Sequence, residues 1–154
     1  MAYTRSTIYL VWLSRLKADL IAAYNASGLK ASGEFERGLE IEATNDKAII
    51  WGAYHSQFME LGRRAGKQPP VSVILKWIDD KKINPKPGLS KRALAFLIAR
   101  KIGRDGIKVP NKYNAGGIIS KVITEERISE LITQLKFVEV EQIRSDIMNL
   151  IKAA

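Results

Sequence analysis

The sequence predicts an α+β fold, and three observations carry that prediction. Apolar residues recur at steps of three and four through most of the chain; one stretch, Leu39 to Thr44, alternates instead, followed by a turn and a short apolar run; and glycine and proline breaks divide the rest into short elements. The expected arrangement is a long N-terminal helix, a β-hairpin or small antiparallel sheet, central buried helices and a helical C-terminal segment. At 154 residues the chain can bury one core without staples. Residues 1–123 are expected to form one α+β domain, with 124–154 a helical segment packed on it.

The elements follow in order. From Arg5 to Asn25, Tyr9, Leu13, Leu16, Leu20 and Tyr24 share one helical face, which Trp12 widens enough to meet more than one neighbour. Asn25-Ala-Ser-Gly28 ends that helix with residues that favour turns and a left-handed cap. Leu39, Ile41 and Ala43 alternate with Glu40, Glu42 and Thr44, Asn45-Asp46 sits where a turn belongs, and Ala48–Trp51 reads as the partner strand; the hairpin is expected within Phe35–Ala53. Tyr54, Phe58 and Leu61 would share a face of a short helix, although this segment is ambiguous. Gly62 to Pro70 must be a loop, since two glycines and a Pro-Pro pair do not propagate a helix.

Val71 to Lys82 resumes helical spacing, with Pro70 at or near its first position. After Asn84-Pro-Lys-Pro-Gly88, Ser90 caps a helix running to about Gly103, whose apolar Ala93–Ala99 segment predicts the central buried helix. Gly103 to Gly117 is read as a long loop with an extended piece at Ile107–Val109, of the kind that tends to be functional or mobile and is dispensable for the fold. Thr124 caps a final helix with Glu125 and Glu126 in its first turn. Phe137–Glu141 reads equally as a strand or as its continuation. Trp12, Trp51 and Trp77 are expected as core anchors, and an exposed one would mark a subunit interface.

Composition narrows the chemistry. The absence of cysteine excludes disulfides, zinc ribbons, iron–sulfur clusters and thiol nucleophiles, and a single histidine leaves no material for a histidine-based metal site or a serine triad. The longest uninterrupted apolar run, Ala93 to Ala99, is too short to span a membrane. No export signal follows Met1, so synthesis and retention in the cytoplasm are expected. The net charge of +9 is local: Leu61–Lys112 holds 14 basic and three acidic residues, a net of +11, while the remainder is slightly acidic at −2. Such segregation suits a polyanion or an acidic protein neighbour, and equally a solvated face of basic helices.

Overlapping the start of this basic window, Tyr54-His-Ser-Gln-Phe-Met-Glu-Leu-Gly-Arg-Arg-Ala-Gly-Lys-Gln-Pro-Pro70, followed by Ile74, Trp77-Ile78 and Lys81, resembles the tail-completion (head–tail connector) proteins of tailed bacteriophages. These show a tyrosine, a Glu-x-Gly-Arg core, Gly-Lys and a Pro-Pro pair ahead of a helix bearing Trp-Ile. The likeness continues through Leu94–Ile102 and Gly106 and covers roughly residues 5–125, leaving the segment after Thr124 unmatched. It implies that 1–123 is a connector-type domain of a structural virion protein, made in the host bacterial cytoplasm and located at the head–tail junction. The protein would be a ring on the order of six or twelve copies around the DNA channel. The implied partners are further copies of itself, portal or adaptor proteins, tail proteins and genomic DNA without sequence preference; no membrane, cofactor, metal or enzymatic activity is implied.

The motif loop then supplies the candidate contact residues for DNA or a neighbouring subunit: Glu60, Gly62, Arg63, Arg64, Gly66, Lys67, Pro69 and Pro70. Lys81, Lys82, Arg100, Lys101 and Arg104 supply a basic surface. The plainer reading of the loop has Glu60 paired with a nearby cation and the loop packed on its own domain. The alternative function is a basic nucleic-acid-binding module in which Val71–Lys82 and Ser90–Gly103 form a helix-turn-helix, against which stands the apolar centre of the second helix. An enzyme lacks material: His55 and Glu60 are the one acid–base pairing in the motif, Asp79 and Asp80 diverge by about 100° on a helix, and Gly103-Arg-Asp-Gly106 lacks the residues of a phosphate loop.

Overall fold

The computed structural model describes residues 4–153. Met1–Tyr3 and Ala154, the outer ends of the two expected segments, lie outside the described residues. The elements run α1 (Arg5–Ala26), α2 (Glu34–Arg37), β1 (Glu40–Ala43), β2 (Ala48–Trp51), α3 (Ser56–Leu61), α4 (Val71–Asp80), α5 (Lys91–Asp105) and α6 (Glu125–Ala153). The fold is α+β, with a long helix at each end and a single two-stranded antiparallel sheet among the described residues.

The core is built on α1. Thr4 caps the helix by accepting a hydrogen bond from the Thr7 amide at 3.2 Å, and the Ser27 amide closes it by donating to Ala23 and Tyr24. The predicted stripe is buried through Leu13, Leu16, Leu20 and Tyr24, joined by Ile8, while Tyr9 is half-buried. Phe35, Leu39 and Ile118 complete the buried cluster, with Tyr24 and Phe35 stacked at 4.5 Å between ring centroids. Each such large side chain contributes about 1.5–3 kcal/mol by leaving water.

The hairpin lies over α1 through one face. Ile41 pairs with Ile50 and Ala43 with Ala48, so the alternating residues that pack against the core come from both strands. Its turn is held by Thr44, whose hydroxyl accepts from the Asp46 and Lys47 amides. The hairpin is shorter than expected: Phe35 belongs to α2, a single helical turn. Trp12 meets a second neighbour, as its spacing predicts, by donating its indole N–H to the Arg127 carbonyl in α6.

Helices α4 and α5 pack on each other at one side. Ile78, Ala95 and Ala99 are fully buried. Ala95, Ala99 and Gly103 follow one another at steps of four, which puts the smallest side chains of α5 on one line and permits close approach. Ser90 caps α5 by accepting from the Ala93 amide at 3.1 Å. The expectation that Ala93–Ala99 is the central buried segment is corrected here: Phe96 and Leu97 are 48% and 49% exposed. One face of α5 is covered, and the core lies elsewhere, against α1. The tryptophan expectation fails at two of three positions, since Trp51 is 54% and Trp77 40% exposed.

Phe137–Glu141 continues the helix, making α6 29 residues long. Thr124 accepts from the Arg127 amide at its start. The near half of α6 docks on α1 through Trp12, through an Arg127–Asp19 ion pair and through Arg5–Glu139 at 2.5 Å. No described side chain of α6 is fully buried.

Candidate functional surface

The motif loop is fastened to the end of α5 by a small backbone clip. Arg63 and Ile107 form an antiparallel bridge in which each amide donates to the other's carbonyl, at 2.8 and 2.7 Å. The Gly66 amide donates to the Gly103 carbonyl at 2.7 Å. A glycine stands next to the bridge on each side. Gly62 has φ 75° and ψ −164°, and Gly106 has φ 70° and ψ −164°, a region that glycine alone occupies without strain. A Cβ on Gly62 would fall 2.2 Å from the Ile107 carbonyl oxygen, and one on Gly106 2.3 Å from the Arg63 carbonyl oxygen. The two glycines are therefore reciprocal: each removes the side chain that would push the other strand away. Gln68 then lies against Gly103, Pro69 is buried, and the Pro70 carbonyl opens α4 by accepting from Val73 and Ile74.

This clip settles the loop's geometry, and it makes the loop part of its own domain. Glu60 plays a structural part as well. Its carboxylate accepts from the Ile119 amide at 3.0 Å, the Ser120 amide at 3.1 Å and the Ser120 hydroxyl at 2.5 Å. Partial burial works to raise the Glu60 pKa, and the donors of Ile119 and Ser120 outweigh it, leaving the carboxyl below its ordinary value. The sequence suggested a cation as the partner of Glu60; backbone and hydroxyl donors fill that role. Asn114 adds a second tie by donating its side-chain N–H to the Met59 carbonyl at 2.8 Å. The Gly103–Gly117 segment is thus bound to α3 and to the motif loop, and the view of it as dispensable for the fold is corrected.

The predicted cations fall into two groups. Arg63 donates to the Lys67 carbonyl, Arg104 makes a two-point contact with Asp105, and Lys81 donates to the Gly28 carbonyl at 2.7 Å. Arg64, Lys67, Lys82, Arg100 and Lys101 are exposed and form no ion pair among the described residues. Because the clip brings residues 63–66 against residues 103–107, it gathers Arg63, Arg64, Arg104 and Lys108 from two segments distant in sequence. That gathering was not legible from the charge count, although the glycines at 62, 66, 103 and 106 were its signal.

Beside this basic ridge stands an outward apolar face. Tyr54 and Leu61 are 80% and 79% exposed, and Tyr54 meets Phe58 edge-on at 5.6 Å. Of the three residues expected on one helical face, Phe58 and Leu61 belong to α3 and Tyr54 lies in the turn before it; Tyr54 and Leu61 look outward, and Phe58 is half-buried. The candidates for other chemistry separate. His55 occupies the cap position of α3 without capping it, and the carboxylate of Glu60 is committed to Ile119 and Ser120. Asp79 pairs with Lys91 and Asp80 with Lys76, so the two carboxylates do diverge. Among the described residues no three His, Cys, Asp or Glu side chains converge in a way that would hold a metal ion, and no described helix is long and apolar enough to cross a membrane. No family model, curated protein or solved structure matches this chain.

Proposed function

We propose that this chain is a structural virion protein that forms a ring at the head–tail junction of a tailed bacteriophage, joining portal or adaptor to tail around the channel through which the genome leaves. The observation that carries the reading is the clip. Within the stretch that resembles connector proteins, Tyr54–Pro70, residues 62–66 are fastened by reciprocal glycines and backbone hydrogen bonds, and the stretch presents cations and aromatics outward rather than into a pocket. A rigid surface of that kind suits assembly. Exposed Tyr54, Trp51 and Leu61 supply the aromatic and apolar anchors that protein interfaces concentrate. Arg64, Lys67 and Lys108 supply phosphate contacts that need no base recognition. In this reading the protein works without catalysis, cofactor or metal.

The helix-turn-helix alternative draws on the free cations of α5. Against it, ten residues, 81–90, separate α4 from α5, where that motif uses a turn of about three or four. Phe96 and Leu97 also occupy the face that would have to read base edges. Electron microscopy of particles carrying a tagged copy tests the main reading. The expected result is a closed axial ring of this chain at the head–tail joint. A chain located elsewhere in the particle, or missing from it, rejects the reading.

A further inference from the structure

Helix α5 has a side that its own fold does not use. Ala95 and Ala99, both fully buried, mark the covered line of the helix. At about 100° per residue, Phe96, Leu97, Arg100 and Lys101 centre about 150° round the helix from that line. Phe96 and Leu97 are half exposed, and Arg100 and Lys101 form no ion pair among the described residues. Arg104, one turn on, is already engaged by Asp105 and is left out of the argument. The composition of this side separates two occupants. Nucleic-acid phosphate would use the cations but gains nothing from two apolar side chains one turn before them. A protein neighbour buries the apolar pair and answers the cations with carboxylates.

The chain carries a surface of that matching chemistry. Most of its carboxylates are engaged in ion pairs, and Glu60 is held by Ile119 and Ser120. Glu126 and Glu130 are exposed and form no ion pair among the described residues. They stand one turn apart on one side of α6, about 130° from the half-buried line of Leu131, Leu135 and Val138. Thr133 and Phe137, the latter 65% exposed, follow along the same side. From N- to C-terminus α5 therefore presents apolar side chains and then cations, and α6 presents carboxylates and then an aromatic ring. An antiparallel crossing satisfies both orders at once. It also sets the start of α6, the positive end of its dipole, beside the negative end of α5.

We infer that the outward side of α5 docks antiparallel on the first half of α6 of a second copy of this chain, with Arg100 and Lys101 facing Glu126 and Glu130. Two different patches meet, so each copy keeps one of each free and the contact repeats until a ring closes. The inference rests on the ring reading for that closure, and it names the surfaces that join.

Charge exchange on the full-length protein tests it. Sedimentation at low salt should show a mass that rises with concentration, and added salt should reduce it. Arg100→Glu and Glu130→Lys each set like charges face to face and should weaken association by about tenfold or more. The melting temperature should not change, since both side chains are exposed and unpaired in their own chain. An equimolar mixture of the two variants should associate nearly as the unmodified protein does. In it the altered α5 of one variant meets the altered α6 of the other, and the remaining contact is native. A protein that stays monomeric throughout, variants that associate as tightly as the unmodified chain, or a mixture no better than its parts would each overturn the inference. So would an Arg100→Glu variant that makes the salt dependence of DNA binding shallower and leaves self-association intact, since the face would then belong to nucleic acid. A restored mixture without an axial ring in the particle rejects the ring reading and leaves this contact standing; an axial ring with an unrestored mixture does the reverse.

Discussion

Replacing Gly106 by alanine puts a methyl group where the Arg63 carbonyl oxygen and the Ala65 amide nitrogen already stand, at 2.3 and 2.8 Å from the ideal Cβ. Two costs add. Holding a non-glycine residue at φ 70° and ψ −164° costs about 1–3 kcal/mol. Relieving the overlap needs movement of backbone rather than of a flexible side-chain tip, for about another 1–3 kcal/mol. The total of about 2–6 kcal/mol is a large share of the stability of an ordinary domain, and at this size it lowers the Tm by roughly 5–20 °C. Urea unfolding followed by circular dichroism measures it. Gly28→Ala is the control: Gly28 has φ 73° with nothing within 4 Å of its ideal Cβ, so only the backbone strain of about 1–2 kcal/mol applies. The two clip glycines should also be coupled. Once Gly106→Ala has opened the bridge, Gly62→Ala should add much less than it costs alone. A Gly106→Ala cost no greater than that of Gly28→Ala, or full additivity of the two clip substitutions, would show that the glycines do not interlock.

Three further outcomes are expected. Glu60→Gln should cost about 1.5–3 kcal/mol at pH 7, because the carboxylate accepts three hydrogen bonds. Because its folded pKa lies below the ordinary glutamate value of about 4.3, its contribution is complete above that pH and is lost as pH falls through the folded value, so the gap between the variant and the unmodified protein should narrow in acid; a gap constant from pH 7 downward contradicts this. Arg127→Ala removes the Asp19 pair and the bond to the Val122 carbonyl and should cost about 1–3 kcal/mol; hydrogen exchange should rise in α6 and not in the hairpin, and uniform acceleration would refute the placement. Arg64→Ser with Lys67→Ser should make the slope of log Kobs for DNA against log salt shallower by about 2, without altering sequence preference; Arg63 is spared because it holds the Lys67 carbonyl.

Local signals determined much of this molecule. Thr4 and Ser90 cap the helices that follow them, because a side-chain oxygen next to unpaired amides acts over three residues and needs nothing distant. The α1 stripe and the alternation of Ile41 and Ala43 likewise state which face leaves water. The glycines at 62, 66 and 106 announced breaks, and with them the motif loop, while Gly103 stays within α5. What those breaks were for was decided by tertiary structure alone. Gly62 and Gly106 need glycine because of each other, across 44 positions of sequence, and no local pattern records a reciprocal steric demand. The same holds for Glu60, whose partners at Ile119 and Ser120 are set by the path of the chain. The apolar run Ala93–Ala99 shows the opposite limit. Hydrophobicity marked α5 for burial, but the covered side is the one bearing Ala95 and Ala99, and Phe96 and Leu97 face out. A sequence states how apolar a helix is; how much of it is covered depends on how many neighbours reach it. In α6 the apolar face at Ile143, Ile147, Leu150 and Ile151 was written in the sequence, and that no described part of the chain covers it was decided by the path of the fold.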